Sequence, residues 1–260
     1  MAYPAVPRIL CPRCPTDTSF LVEEGSAVHT FRIIALLVAL AATAGTVSAE
    51  ALPDLVARIE PAVVLIRTFD CAGCPLRTGS GFFINPDGEL VTSRHVLNNA
   101  CRASAETADG SKYWVSRATG VNPAFDLIKL KVERPVGTTP HLEIAAELPR
   151  KGETVAVLGN PCCYRFVVSQ GIVAGFQDLS VGRTIQVTAP IGPGSSGSPV
   201  VNMDGKVVGV INLYNDSGQH LNFALPASLI FSLSLDTPVS LEQLSQPQFY
   251  YQVIEPLLGY

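Results

Sequence analysis

Hydrophobic and polar positions along this chain change texture three times. Phe31 to Ala49 is an almost unbroken apolar stretch, FRIIALLVALAATAGTVSA. Leu52 to Ile59 (LPDLVARI) spaces its apolar residues as one face of a short helix, with a proline near its start. After Pro61 the pattern becomes a series of β-branched runs separated by turn residues. It predicts strands over Val63 to Phe69, Thr78 to Ile84, Glu89 to Thr92, Lys112 to Ala118, Leu127 to Val132 and Glu153 to Gly159. Further strands are predicted over Phe166 to Gly175, Thr184 to Thr188, Val200 through Lys206 to Leu213 with a turn at Asp204-Gly205, and Leu221 to Ala224. Asn85-Pro86-Asp87-Gly88 is a hairpin turn between two of them.

Short strands about ten residues apart, with turn chemistry between them, predict barrels or a sandwich. Pro135 to Pro149 carries little strand signal and reads as the connection between two β halves. Ala227 to Leu235 is predicted as a helix. Residues 236–260 form a polar tail bearing Phe249, Tyr250 and Tyr251, too short for a further domain.

Composition supports this picture. Charged residues make up 15 % of the 260 positions, while 21 glycines and 20 prolines suit a turn-rich β protein better than a helical bundle. A formal charge of −4 and the absence of any Lys/Arg run exclude an electrostatic case for nucleic acid or anionic lipid as partner.

The apolar stretch from Ile33 is short for a membrane span and ends in Val47-Ser48-Ala49, small residues of the kind found at signal cleavage sites. Residues 1–49 are therefore expected to be an N-terminal extension plus signal peptide, cleaved after Ala49 on export to a periplasmic or secreted location. The alternative is an uncleaved signal anchor, the one case in which a membrane enters. The thirty residues ahead of the apolar run do not look secretory, and Val28 is a candidate for the true start if a GTG codon was read as valine. Removing residues 1–49 takes three basic and three acidic groups and leaves the charge at −4. It also leaves Cys71, Cys74, Cys101, Cys162 and Cys163. Outside the cytoplasm these are disulfide candidates, with a bridge from Cys101 to Cys71 or Cys74 able to staple the segment between them. There is no second C-x-x-C beside Cys71-x-x-Cys74, so neither metal nor cofactor is expected.

The candidate chemistry lies in Ile191 to Val201, IGPGSSGSPVV. A loop so rich in glycine can turn successive backbone N–H groups toward one point beside a serine hydroxyl, the combination acyl transfer requires. Alone, such a stretch is an ordinary turn or linker. Among four histidines, His95 differs: it follows the predicted hairpin, where a strand gives way to a helical turn. Asp126 opens the apolar run LIKLKV, at the mouth of a strand. Either residue alone is an ordinary structural one.

In the order His95, Asp126, Ser196, these residues resemble the trypsin-like serine peptidases of the chymotrypsin fold, and most closely the HtrA-like branch. TGSGFFINPDGELVTSRHVL, FDLIKLKV, GNPCCYRFVVSQGIVAG, APIGPGSSGSPVVNMDGKVVGV and LNFALP are similar to five blocks of that branch, in the same order, between about Val63 and Leu229. The resemblance implies two antiparallel six-stranded β-barrels with short terminal helices. Barrel 1 would span about 60–135 and barrel 2 about 150–226, within a peptidase domain of 50–235. It implies Ser196 as nucleophile, His95 as general base, Asp126 as its orienter, and the N–H groups of Gly194 and Ser196 as the oxyanion hole. Asn212, Leu213 and Tyr214 would offer backbone to a polypeptide substrate. Leu221 and Asn222, with Leu225 nearby, would border a pocket for small or medium apolar P1 residues.

The chain departs from the branch at Ser93, Ser195 and Ser198, which stand for Asn, Asn or Asp, and Gly. It has no sequence for a following PDZ domain within the tail. Members of the branch often trimerise, so a homo-oligomer is compatible with the chain. An α/β-hydrolase is disfavoured, because the second residue after Ser196 is not glycine and acid and histidine would have to follow the serine in that order. A catalytically impaired binding or chaperone module is the remaining alternative.

Overall fold

The computed structural model describes residues 51–122, 124–134, 139–162, 164–179, 182–214 and 222–246. The expectations for residues 1–49, and those for Leu221, Cys163 and His220, lie outside the described residues.

Helix α1 (Leu52–Ile59) forms as its periodicity predicts: Pro53 fits the first turn, Asp54 sits at the N-terminal end and Arg58 at the C-terminal end of the helix dipole. Pro61 then forces the chain out of the helix through a short 3₁₀ turn. Six strands follow: β1 (Val63–Phe69), β2 (Pro75–Phe83), β3 (Glu89–Ser93), β4 (Arg102–Glu106), β5 (Lys112–Asn122) and β6 (Leu127–Val132). They close antiparallel into a barrel in the order β1-β2-β3-β6-β5-β4. A second closed barrel, in the order β10-β11-β12-β9-β8-β7, is built from β7 (Thr154–Gly159), β8 (Val167–Leu179), β9 (Gly182–Val187), β10 (Pro199–Asn202), β11 (Val207–Tyr214) and β12 (Asn222–Pro226).

The runs without polar interruption have a physical reason. Strand alternation sends Val64, Ile66, Phe83, Leu90 and Ile128 into the first barrel, and Val155, Val157, Val200 and Ile211 into the second. Their neighbours Val63, Phe82, Val91, Leu127, Leu158, Val201 and Val210 point the other way, into a third cluster shared by both barrels and closed by Leu55 and Ile59 of α1. A strand buried on both faces has no polar phase. The hydrophobic layer between the barrels is what brings their rims together.

The sequence reading needs two corrections. It misses β4, whose RASAE sequence buries only small residues, Ala103 and Ala105. It extends a helix over Ala227 to Leu235, where a 3₁₀ turn stops at Ser232. Leu225 lies in the core shared by the two barrels. Part of the tail is ordered: Val239 bridges Ala118, and helix α2 (Leu241–Ser245), capped by Ser240 and Gln243, buries Leu241 in the first barrel's core.

Candidate active site

His95 lies on a 3₁₀ turn, Arg94–Leu97, that leaves β3 directly. Asp126 enters β6 with φ of 53°, a left-handed conformation that Asp and Asn tolerate better than most residues. It grips the start of the histidine turn twice: its carbonyl accepts the Arg94 N–H (2.8 Å), and its carboxylate accepts the His95 N–H (3.0 Å). The second carboxylate oxygen lies 2.5 Å from His95 Nδ1. A carboxylate only accepts, so this contact places the proton on Nδ1 and leaves the Nε2 lone pair free to act as a base. Arg77 on β2 fixes the far side of the turn by donating to the His95 carbonyl (2.8 Å).

Ile211 of β11 joins the two halves. Its carbonyl accepts both the Ser93 hydroxyl (3.2 Å), two residues before His95, and the Gly197 N–H (2.7 Å), one residue after Ser196. Gly197 has φ of 86°, and a Cβ there would lie 2.1 Å from the Ser80 carbonyl oxygen, so only glycine lets the loop approach the first barrel this closely.

The loop from Gly192 to Ser198 is a series of alternately held peptide planes. The Pro193 carbonyl accepts the Cys162 N–H (2.5 Å), and the Ser195 carbonyl accepts the Ser198 N–H (2.9 Å). A trans peptide points its N–H opposite its carbonyl. The N–H groups of Gly194 and Ser196 are therefore turned away from these anchors, and neither has an acceptor among the described residues. Ser195, the rival nucleophile, is buried with its Oγ accepting from the Gly192 N–H (3.2 Å), whereas Ser196 is partly exposed.

Ser198 does not distort the loop. It is not among the residues with left-handed φ, and it fits because position 159 is glycine: a Cβ there would lie 1.9 Å from Ser198 Oγ. Its hydroxyl is buried without a partner. Two buried residues that the sequence reading assigned no role, Ser80 and Asn160, bond to this region. Asn160 donates to Ser80 Oγ and the Val64 carbonyl and accepts from the Phe166 N–H. A serine between two glycines at the start of the buried run GSGFF, and an asparagine ending the run VAVLG, are the signals that could have found them.

Of the substrate candidates, Asn212 is buried, with its amide donating toward the Phe125 carbonyl (3.4 Å). Leu213 and Tyr214 continue β11 beside it. Asn222, also buried, donates its amide to the Ala189 carbonyl (2.7 Å). Cys101 pairs with Cys71, tying the start of β4 to the turn after β1, while Cys74 and Cys162 are free and exposed. No helix among the described residues is long and apolar enough to cross a membrane.

Comparison with known proteins adds independent findings. Residues 79–210 match the sequence family described as the trypsin-like peptidase domain. The mitochondrial serine protease HTRA2 of Bos taurus is 34 % identical over 189 residues, which cover 67 % of this chain and 40 % of that protein. Serine protease HTRA1 of Xenopus laevis is 35 % identical over 191 residues, 68 % of this chain and 41 % of its own. The chain thus matches about two fifths of the length of these relatives. Among solved structures, the serine endoprotease from Yersinia pestis aligns with a TM-score of 0.63 at 27 % identity, covering 70 % of this chain and 65 % of that one. The HtrA-type protease AlgW, solved with a tripeptide, aligns with a TM-score of 0.63 at 26 % identity, covering 70 % and 62 %.

Proposed function

Because this chain belongs to the trypsin-like peptidase domain family, we propose that it is a serine endopeptidase in which Ser196, His95 and Asp126 form the catalytic triad. The observation that carries this reading is the 2.5 Å contact between His95 Nδ1 and Asp126, which leaves Nε2 as the base on a turn held to the serine loop through Ile211. Ser196 Oγ attacks the peptide carbonyl while Nε2 takes its proton. The tetrahedral oxyanion is met by the unpaired N–H groups of Gly194 and Ser196. Nε2 then returns the proton to the departing amine, and water repeats the sequence to release the acyl group. Asp126 stabilises the imidazolium throughout. Each oxyanion donor is worth about 3 kcal/mol in sites of this kind.

Asn222 stands where the resembled branch carries glycine on the wall of the specificity pocket. Its buried side chain, tied to the Ala189 carbonyl, takes up room that glycine would leave, and this supports small or medium apolar P1 residues. The Cys71–Cys101 bridge and the apolar stretch Phe31 to Ala49 support export to an oxidising compartment.

A fluorophosphonate probe tests the mechanism. Labelling of the wild-type protein that is lost in Ser196→Ala, together with loss of casein hydrolysis, is expected. Equal cleavage by the alanine variant would reject Ser196, and a wild-type protein that neither labels nor cleaves would favour a binding module that has kept the fold. Cleavage-site profiling of a digest checks the P1 preference, and a dominance of Lys or Arg would overturn it.

A further inference from the structure

We propose that Ser80, on the first barrel, is a positioning residue that sets the two oxyanion donors of the second; the proposal rests on reading Ser196 as the nucleophile. Ser80 is fully buried on β2. Its backbone N–H donates to the Ser196 carbonyl (2.9 Å), and its hydroxyl donates to the Gly194 carbonyl (2.9 Å). The hydroxyl in turn accepts the Asn160 N–H (2.8 Å) and faces the Asn160 side-chain amide at 3.4 Å. A hydroxyl has one proton and two lone pairs, so the group is fully used and its single proton is committed to Gly194.

Those two carbonyls belong to the planes that alternate with the donor planes. The Gly194–Ser195 plane is held at its carbonyl by Ser80 Oγ and at its N–H by the Gly192 carbonyl (2.9 Å). The Ser196–Gly197 plane is held at its carbonyl by the Ser80 N–H and at its N–H by the Ile211 carbonyl (2.7 Å). Between and beside them lie the planes that carry the Gly194 and Ser196 N–H groups. One residue therefore fixes the frame on which both donors are mounted. Gly194, with φ of 93° and no Cβ, offers little steric resistance to rotation of its peptide. Without the Ser80 hydroxyl its carbonyl loses this partner, and the penalty for an unmade buried hydrogen bond favours turning the plane toward another donor. Asn160 also links Ser80 to the loop that supplies the Cys162 N–H to Pro193, so one polar knot controls both anchors.

The test compares Ser80→Ala with Ser104→Ala, which removes another fully buried serine of the same barrel whose hydroxyl has no partner. Ser80→Ala is expected to lower kcat on a peptide substrate by about 100-fold, the scale of losing one oxyanion donor, with KM changed by less than about threefold. Hydrogen exchange at the Ser195 and Gly197 amides should quicken in the same variant, and Ser104→Ala should change neither readout. If Ser80→Ala does not fold, Ser80→Cys, with a similar shape and a weaker donor, carries the same measurements. Unchanged kcat in the Ser80 variant, an equal loss in Ser104→Ala, or a loss confined to KM overturns the proposal. A wild-type protein without Ser196-dependent turnover would instead reject the nucleophile. Exchange alone would then decide whether Ser80 holds the loop, and unchanged exchange would overturn that too.

Discussion

The two barrels contribute to the proposed site in different ways. The first supplies side-chain chemistry, an imidazole and a carboxylate in direct contact on the turns that flank β3 and β6. The second supplies a serine and two backbone donors on a loop that adds to its own few hydrogen bonds the hold of Ser80 across the interface, and that of Ile211, which Ser93 also contacts. A side-chain pair is self-contained once two strands bring it together. Backbone donors depend on everything that fixes the peptide planes around them, so the loop should respond to substitutions that never touch a substrate.

The largest expected effect is on the self-contained side. Asp126→Asn keeps a residue that tolerates the left-handed backbone at this position and can still accept the His95 N–H. It removes the charge that, in the proposed mechanism, stabilises the imidazolium, and with it the pressure for a protonated Nδ1. Turnover at neutral pH should fall by about 10⁴-fold, while Tm moves by less than about 4 °C, the shift expected for about 1 kcal/mol in a domain of this size. Steady-state kinetics beside a thermal melt check it. A loss of activity that merely tracks unfolding would dissolve the contrast, because Asp126 would then be supporting the fold.

Next comes the borrowed rigidity. Gly159→Ala places a Cβ 1.9 Å from Ser198 Oγ and 3.0 Å from Ser80 Oγ, pressing on the loop from below. Overpacking of this kind costs about 1–3 kcal/mol. Ser198→Gly removes the closer clash along with an unpartnered buried hydroxyl, so it should be tolerated alone and should recover more than half of the loss in the double variant. A double-mutant cycle by urea unfolding reads the coupling. Simple additivity would show that Ser198 is not matched to Gly159, and that the loop is held less tightly than its contacts imply.

The same contrast explains what could be read in the sequence. The helix Leu52–Ile59 and strands β1 and β6 follow from periodicity alone, and the order of the blocks around His95, Asp126 and Ser196 indicates two barrels. What escapes is whatever acts through small or backbone groups. Strand β4 buries Ala103 and Ala105, which carry no β signal, and the roles of Ser80 and Asn160 exist only once chain segments 80 residues apart have met. Ser198 stands out as a departure from the branch, yet its compensation at Gly159 is visible only across the β7–β10 pairing region. The Ser240-x-x-Gln243 capping box of the tail was available to a local reading, because it depends on residues three apart.

The smallest expected effect lies at the rim, where the loop between β7 and β8 is tied to the first barrel by charge. Arg165 Nη2 lies 2.5 Å from Glu106 on β4, and Arg67 Nε is 3.5 Å from the other carboxylate oxygen. Desolvation pushes the Glu106 carboxyl up, but hydrogen bonding and charge from Arg165, then Arg67, outweigh it and hold the group below its ordinary value of 4.5. A carboxyl whose folded value is depressed stabilises the fold above its unfolded value, and that contribution fades as pH falls through the folded one. Both arginines are substantially exposed, so the stabilisation is at most about 1 kcal/mol and weakens with salt. Glu106→Gln should therefore be slightly less stable than wild type at pH 7 in low salt, and the difference should shrink in acid as Glu106 itself becomes protonated. Urea titrations at pH 7 and in acid, each with and without added salt, measure it. A gap that persists unchanged in acid would mean that the glutamate acts through packing rather than charge, and the rim would then resemble the buried knot at Ser80 more than it differs from it.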